Sequence, residues 1–530
     1  GAHRDLHSFP TRRSSDLRVG GKDASKNYFG PGADAYDDTI PNTGYQQWAA
    51  AARVGYDGFK DQTVEFAFGK TQQNDARRPD GYYENSGSSS RISRYYDPES
   101  FSYAHLRHQW TPKGQFFDRL TTTGWAHRQD EYQIREDLAS SGTVYRRREY
   151  DDRIDSFGIE PQAVNRIGSE HELTYGALFL FETTANDYRE YRNLSGIDSA
   201  GATPYNPEDW SENTTITDGA RYNTYAAYIQ DLWAVNDRWS LLTGLRYTYV
   251  DWDFDVANGN ADDVTGSIRA GYQIRDDMHA FFGISKSFRA PNLSDLDGAT
   301  DRGSSGTINF GNPDLDPEVG YTVETGWNYK KGRDQLAVGV FYTQLDNLIQ
   351  TVYPIPSGPG ETDNGESAHI RGFELQWDFG IPVVKEMDRR LALFGALSMV
   401  DTEQKLPQSD GSTATLPIGR ANRLFGKCGL RYDIDRNWRA SVQVRFHDAY
   451  GKDDVTPDDA TDVRHTVPGD ADGSLPGYGV IDLSAGWTDD SGSKWVTLNL
   501  ENIANKTYRP LGSGADAPGF NIGVATGVRF

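Results

Sequence analysis

Apolar and polar positions alternate strictly at the end of the chain. Phe520, Ile522, Val524, Thr526, Val528 and Phe530 interleave with Asn521, Gly523, Ala525, Gly527 and Arg529. A two-residue period marks a strand whose successive side chains point to opposite faces. Trp438, Ala440, Val442, Val444 and Phe446 against Arg439, Ser441, Gln443 and Arg445 repeat the pattern, as do Phe373, Leu375, Trp377 and Phe379 against Gly372, Glu374, Gln376 and Asp378. The spacing predicts about nineteen such strands, near 45–57, 61–72, 101–111, 116–130, 149–160, 170–184, 219–235, 238–254, 263–274, 277–288, 319–330, 335–352, 366–379, 389–403, 420–434, 438–450, 478–487, 494–503 and 518–530. In the last of these, Val524 is expected to face outward and Gly523 inward.

The links between strands separate a membrane barrel from a soluble sandwich. Short links at 57–60, 112–115, 161–169, 236–238, 275–277, 331–334, 380–388, 435–437 and 488–493 alternate with longer ones at 73–100, 131–148, 185–218, 255–262, 289–318, 353–365, 404–419, 451–477 and 504–517. Tight turns at one end and long loops at the other are the habit of transmembrane barrels. Many strands also exceed the roughly 9–11 residues a membrane span needs. Trp110, Trp233, Trp239, Trp327, Trp377, Trp438, Trp487 and Trp495 lie close to short links. An aromatic girdle at the membrane–water boundary places them there. The expected fold is an all-β transmembrane antiparallel barrel. Single-chain barrels have even strand numbers, so about nineteen strands point to a barrel of the 22-stranded type with its first strands missing.

Composition narrows the function. The 530 residues carry 77 acidic and 54 basic side chains, a net charge of −23, which argues against nucleic-acid binding. One cysteine excludes a disulfide framework and multi-cysteine metal sites. The mean hydropathy of −0.70 excludes a helical membrane protein. A barrel tolerates it, because only every second strand residue meets lipid and long loops carry the acid. The stretch Asp5 to Leu17 lacks periodicity and resembles a translated sequencing adapter. Residues 1–17 are therefore expected to be non-native, and 18–530 to form the barrel domain. The apolar core of a signal peptide is not found there.

Specific motifs stand on this frame. Ser285 to Leu296 contains Phe288-Arg289-Ala290-Pro291. Asn312-Pro313-Asp314-Leu315 and Glu324-Thr325-Gly326 follow. Ala337 to Ile349, Asn364-Gly365 through Glu374, and Asn502 to Tyr508 running on to Phe530 complete the set. Together these segments, over about residues 40–530, resemble TonB-dependent outer-membrane receptors of Gram-negative bacteria. A terminal Phe such as Phe530 is that family's barrel-assembly signal. The resemblance implies ligand-gated import, in which a scarce solute binds outside and an N-terminal plug, driven by the inner-membrane TonB complex, rearranges to admit it. No plug or TonB-binding segment is recognisable in this sequence.

The leading ligand reading is a ferric siderophore or another iron chelate. Haem or haemoglobin, cobalamin and other non-iron solutes remain alternatives. The boxes at 288–291 and 312–315 resemble those of haem receptors, yet residues 292–311 contain no histidine to ligate haem iron. Candidate ligand contacts are loop aromatics and arginines: Arg77, Arg78, Tyr82, Tyr83, Tyr95, Tyr96, Tyr188, Tyr191, Trp210 and Arg289. Tyr and Trp give rigid contact area, and Arg meets anionic groups. His105 and His108, three apart on a strand, fall on opposite faces and make a poor metal pair. The acidic run 453–472 lacks EF-hand spacing and reads as solvated loop charge. No resident metal or cofactor is expected. Neither a G-x-S-x-G elbow nor another nucleophile–base pair is found, so an outer-membrane enzyme is disfavoured. A passive porin would lack these motifs. The expected partners are a small-molecule chelate, outer-membrane lipid or lipopolysaccharide and the TonB complex, with the barrel acting as a monomer and no nucleic acid bound.

Overall fold

The computed structural model describes residues 15–24, 44–78, 90–112, 116–139, 144–192, 217–255, 257–298, 300–302, 307–352, 360–382, 389–407, 413–419, 421–451, 474–513 and 516–529. The first half of the chain supplies strands β1 (Ser15–Ala24), β2 (Tyr45–Tyr56), β3 (Gln62–Asn74), β4 (Ala76–Arg78), β5 (Ser90–Trp110), β6 (Arg119–Ala139), β7 (Val144–Ile167), β8 (His171–Arg192), β9 (Arg221–Ala234), β10 (Trp239–Phe254) and β11 (Ala257–Arg275). The second half supplies β12 (Met278–Arg289), helix α1 (Leu293–Leu296), β13 (Thr300–Arg302), β14 (Thr307–Phe310), β15 (Glu318–Lys331), β16 (Asp334–Asp346), β17 (Ile349–Val352), β18 (Gly360–Asn364), β19 (Ser367–Gly380), β20 (Arg390–Pro407), β21 (Thr413–Leu416), β22 (Leu424–Asp433), β23 (Trp438–His447), β24 (Tyr478–Thr488), β25 (Lys494–Glu501) and β26 (Asn521–Val528).

Among the described residues, twenty long strands pair antiparallel with their neighbours in chain order, from β1 to β26. Strand β4 prolongs β3 against β5, and β21 pairs with the end of β20. The small strands β13, β14, β17 and β18 form a separate sheet between two of the long connections. In hydrocarbon every backbone N–H and C=O must find a partner inside the protein, which this ladder provides for the strands lying between β1 and β26.

One face of the wall is apolar and exposed. Phe66 lies opposite Leu106, Phe157 opposite Phe181, Leu245 opposite Ile229, Ile268 opposite Ile284 and Leu498 opposite Val524. All ten are exposed large hydrophobics. A soluble sandwich would bury such a face against a second sheet. Here it faces lipid. The alternate residues Arg246, Glu324, Lys427, Arg445 and Asp482 share the opposite, lumenal face, where Arg445 Nε donates to Asp482 at 2.5 Å. At the short-turn end outward aromatics form the girdle. Trp239 packs on Tyr272 at 4.6 Å between ring centres, and Trp438 on Trp487 at 6.5 Å. Gly332 and Gly492 take positive φ in two of these turns, a backbone conformation that suits glycine.

Three sequence expectations change. The count of strands rises by one, because β1 pairs with β2 where no strand was expected. Its ladder sets Ser15, Asp16 and Leu17 opposite Val54, Arg53 and Ala52. The link expected at 255–262 is a tight hairpin, since β10 and β11 stay paired up to Phe254 and Ala257. The links expected at 73–100 and 131–148 are largely strand in their described residues, and strand runs on through 185–192 of the link expected at 185–218. Strands β5 to β8 run 21, 21, 24 and 22 residues, about 70–80 Å at the usual rise. Their upper parts project well past the bilayer. Polar side chains paired across the strands hid them, because their alternation lacks an apolar face.

Register predicts the effect of charge in the final strand. Val524 is 69% exposed on the lipid side, while an added Cβ at Gly523 would meet nothing closer than Asn499 Cβ at 4.0 Å. Val524→Arg should destabilise the folded barrel by roughly 2–4 kcal/mol, and Gly523→Ser should be mild. Reversible denaturant unfolding in lipid vesicles measures both. The opposite ranking would mean that the facing is wrong.

Candidate functional site

Outward ion pairs mark where β5–β8 leave the hydrocarbon. Arg128 Nε meets Asp155 at 2.6 Å, and Arg153 meets Asp130 at 2.9 Å. Both pairs lie on the face that is apolar nearer the turns, and water there replaces lipid. Above this level the strands form a projecting wall rich in arginine, carboxylate and tyrosine.

The wall holds most of the described candidate residues, but on strands rather than loops. Arg77 of β4 is registered opposite Tyr95 of β5 and lies over its ring at 5.1 Å. Arg78, one residue on, donates to Tyr96 OH at 3.3 Å. Alternation therefore puts Arg77 and Tyr95 on the outward face, and Arg78 and Tyr96 on the lumenal one. On β8, Tyr188 is lumenal, packing on Tyr150 at 5.1 Å and donating to Glu190 at 3.0 Å. Tyr191 is registered opposite Arg147 on the outward face. The structure thus brings Arg78, Tyr96 and Tyr188 to the lumenal side and turns Arg77, Tyr95 and Tyr191 away. Tyr82, Tyr83 and Trp210 lie outside the described residues, as does Phe530.

Buried ion pairs hold the wall together. Arg148, 2% exposed, donates from Nη2 to both oxygens of Asp137 at 3.1 and 3.0 Å. Arg146 Nε donates to Glu190 at 2.6 Å. On the outward face Arg147 bridges Glu149 at 2.8 Å and Glu136 at 3.3 Å. Tyr132 donates to Glu149 at 2.7 Å. Burial and that carboxylate push its hydroxyl up to about 12. Three lumenal carboxylates, Glu99, Glu131 and Asp152, stand directly opposite one another across β5, β6 and β7. Burial, then the neighbours Glu99 and Asp152, raises Glu131. Burial, then Asp151, raises Asp152 to about 6.

Arg289 has a different setting. Its Nε and Nη2 donate to Glu318 at 2.5 and 2.8 Å, and Nη1 donates to Asp295 at 2.9 Å. Asp295 also belongs to the capping box that starts α1 at Asn292. Tyr222 OH holds the Pro291 carbonyl at 2.8 Å, and the Asn312 N–H donates to the Asp295 carbonyl at 2.9 Å. Leu296, 1% exposed, packs with Val250, Trp252, Phe254 and Ala261 of the inner wall, with Phe288, Ala290 and Leu293 against the same cluster. Pro313 follows Asn312, and Leu315 is buried. The two boxes therefore fold the β12–β15 connection inward and pin it to the wall. The guanidinium expected to meet a ligand anion is engaged by two of the protein's own carboxylates.

A model of the family described as TonB dependent receptor-like, beta-barrel, matches residues 16–505. The chain belongs to that family. Solved structures share the fold at low identity. The copper transporter OprC is 16% identical with a TM-score of 0.73, covering 97% of this chain and 76% of its own. The FrpB iron transporter from Neisseria meningitidis (F3-3 variant) is 14% identical with a TM-score of 0.72, covering 97% and 77%. The siderophore receptor PiuA from Acinetobacter baumannii is 15% identical with a TM-score of 0.66, covering 98% and 78%. This TonB-dependent receptor barrel is an outer-membrane protein of the Gram-negative envelope, in a family of nutrient-uptake receptors rather than enzymes.

The receptor's histidines are arranged differently from the sequence expectation in one respect. His105 and His108 do fall on opposite faces. His108 sits on the lipid side, where its Nε2 bonds to Gln62 at 2.8 Å. Sequence spacing missed His127 of β6, whose Nε2 lies 2.7 Å from that of His105. Only the β5–β6 register, with Tyr103 opposite His127 and His105 opposite Trp125, brings them together. Among the described residues no cluster of three or more His, Cys, Asp or Glu is placed to hold a metal.

Burial of the carboxylate row should make the stability of the receptor's wall depend on pH. Asp152 binds its proton more tightly when folded than the ordinary value of 3.8 allows. Its contribution is complete below pH 3.8 and is lost as pH rises through about 6. Amides of upper β6 and β7 should exchange more slowly at about pH 5 than at about pH 7.5, after correction for intrinsic rates. Asp152→Asn should flatten that difference. An unchanged pH dependence in the variant would exclude Asp152 as its source.

Proposed function

We propose that this receptor binds and imports a ferric siderophore or a similar anionic iron chelate. The supporting observation is the lumenal side of the projecting wall, where Arg78 with Tyr96, and Tyr150 with Tyr188, face the entrance. Rigid aromatic rings suit the planar groups of a chelate, and guanidinium suits its anionic oxygens. The siderophore receptor PiuA and the iron transporter FrpB have the same fold. Haem or haemoglobin is the second reading. It is weakened by the lack of histidine in residues 292–311, between the two boxes. Cobalamin and other non-iron solutes have no specific support. On the proposed reading the partners are the chelate, the surrounding outer-membrane lipid and lipopolysaccharide, and the inner-membrane TonB complex. The barrel works as a monomer, and Arg289 organises a loop rather than contacting ligand. Residues 1–17 remain the candidate non-native segment, with 18–530 as the barrel domain.

The test is growth of a deletion strain on single iron sources, together with binding of ferric chelates to the purified receptor. Arg78→Ala and Tyr96→Ala should each weaken chelate binding by roughly tenfold or more. The outward Tyr191→Ala should leave it unchanged. Failure of every ferric chelate to bind, with expression indifferent to iron limitation, would refute iron import.

A further inference from the structure

We propose that His105 and His127 form a binding site for a divalent transition-metal ion on the lumenal wall of the barrel. Both side chains lie on the face opposite the lipid-facing Leu106 and Ala126, on adjacent antiparallel strands. Their Nε2 atoms are 2.7 Å apart. Two nitrogens bound cis at about 2.0–2.1 Å from one metal stand roughly 2.8–3.0 Å apart. The pair is therefore close to the spacing of two neighbouring ligands in a tetragonal site. Imidazole is a good ligand for copper, nickel and zinc ions, with copper(II) favoured by both affinity and geometry.

The surroundings hold the pair in place. Tyr103 packs on His105 at 5.1 Å between ring centres, and Phe101 on His127 at 5.4 Å. Trp125 lies 6.4 Å from His127. The Tyr103 and Trp125 rings lie flat over Gly69 and Gly158, where any side chain would collide with them. Rotamer freedom at both histidines is thereby reduced, which lowers the entropy lost on coordination. His105 also lines a polar recess of about 340 Å³, with Glu65, Arg107, Thr121, Thr123, Glu160 and Gln162. Water in that recess can complete the coordination sphere. Two protein ligands leave the other positions open, so the ion exchanges rather than being locked in.

The proposal concerns the chemistry of the wall and does not depend on which chelate is imported. It is tested with copper(II) alone, added to the detergent-solubilised, untagged chain in a non-coordinating buffer. Copper(II) should bind with a paramagnetic resonance spectrum showing two imidazole nitrogens. His105→Ala and His127→Ala should each weaken that binding by roughly tenfold or more. His108→Ala, on the lipid side, should leave it unaltered. Heat-modifiable migration on gels checks that each variant is folded, and the spectrum of the unaltered protein reads the two nitrogens without any variant. A spectrum with one imidazole or none, or equal binding by all three variants, would overturn the site. Loss on replacing only one of the two histidines would overturn it as well. Ferric-chelate binding is measured separately, so failure of the import reading leaves this result standing, and the converse also holds.

Discussion

The unbroken backbone ladder is the constraint on which the rest of the molecule depends. A peptide group left unpaired in hydrocarbon costs several kcal/mol, and the wall of described strands carries hundreds of such groups. Antiparallel pairing of each strand with the next satisfies them with the fewest long connections. It also sets an alternation in which successive residues face lipid and lumen in turn, broken only where the register shifts, as between Tyr96 and Glu99 of β5 and between Gln273 and Arg275 of β11, among the described residues. The exposed Phe, Leu, Ile and Val side chains are thus the hydrophobic surface of a protein whose solvent on that side is lipid.

The same ladder continues after the lipid ends, and there its chemistry changes. Once the wall meets water on both sides, apolar residues give way to ion pairs. Arg128 with Asp155, Arg146 with Glu190 and Arg148 with Asp137 tie neighbouring strands that would otherwise splay. Exposed pairs of this kind contribute little one at a time, whereas the buried ones would be costly to break. The projecting part of β5–β8 thereby becomes a stiff rim. On the proposed reading a ligand would meet a surface set by strand register, with its arginines and tyrosines already paired.

The β12–β15 connection shows a second way of making order at the entrance. Arg289 gathers Glu318 at the start of β15 and Asp295 within α1, while Leu296 is sealed against Trp252 and its neighbours. The residues that carry the family's most recognisable motif therefore perform an internal task. On the proposed reading motif and ligand contact are separate, because three of the five guanidinium N–H donors already serve the protein's own carboxylates.

The sequence alone determined the barrel. Two-residue alternation, girdle tryptophans near short turns and the motifs around Phe288 and Asn312 are local patterns, readable without knowing what pairs with what. The projecting strands were not legible, because their alternation is polar on both faces and resembles loop composition. The partnership of His105 with His127 was hidden for a related reason. Which residues meet across a hairpin depends on register, and register is decided by how whole strands settle against one another. Sequence named Arg77, Arg78, Tyr95, Tyr96, Tyr188 and Tyr191 as one group. Tertiary structure sorted them by face, since a single step along a strand reverses the direction in which a side chain points.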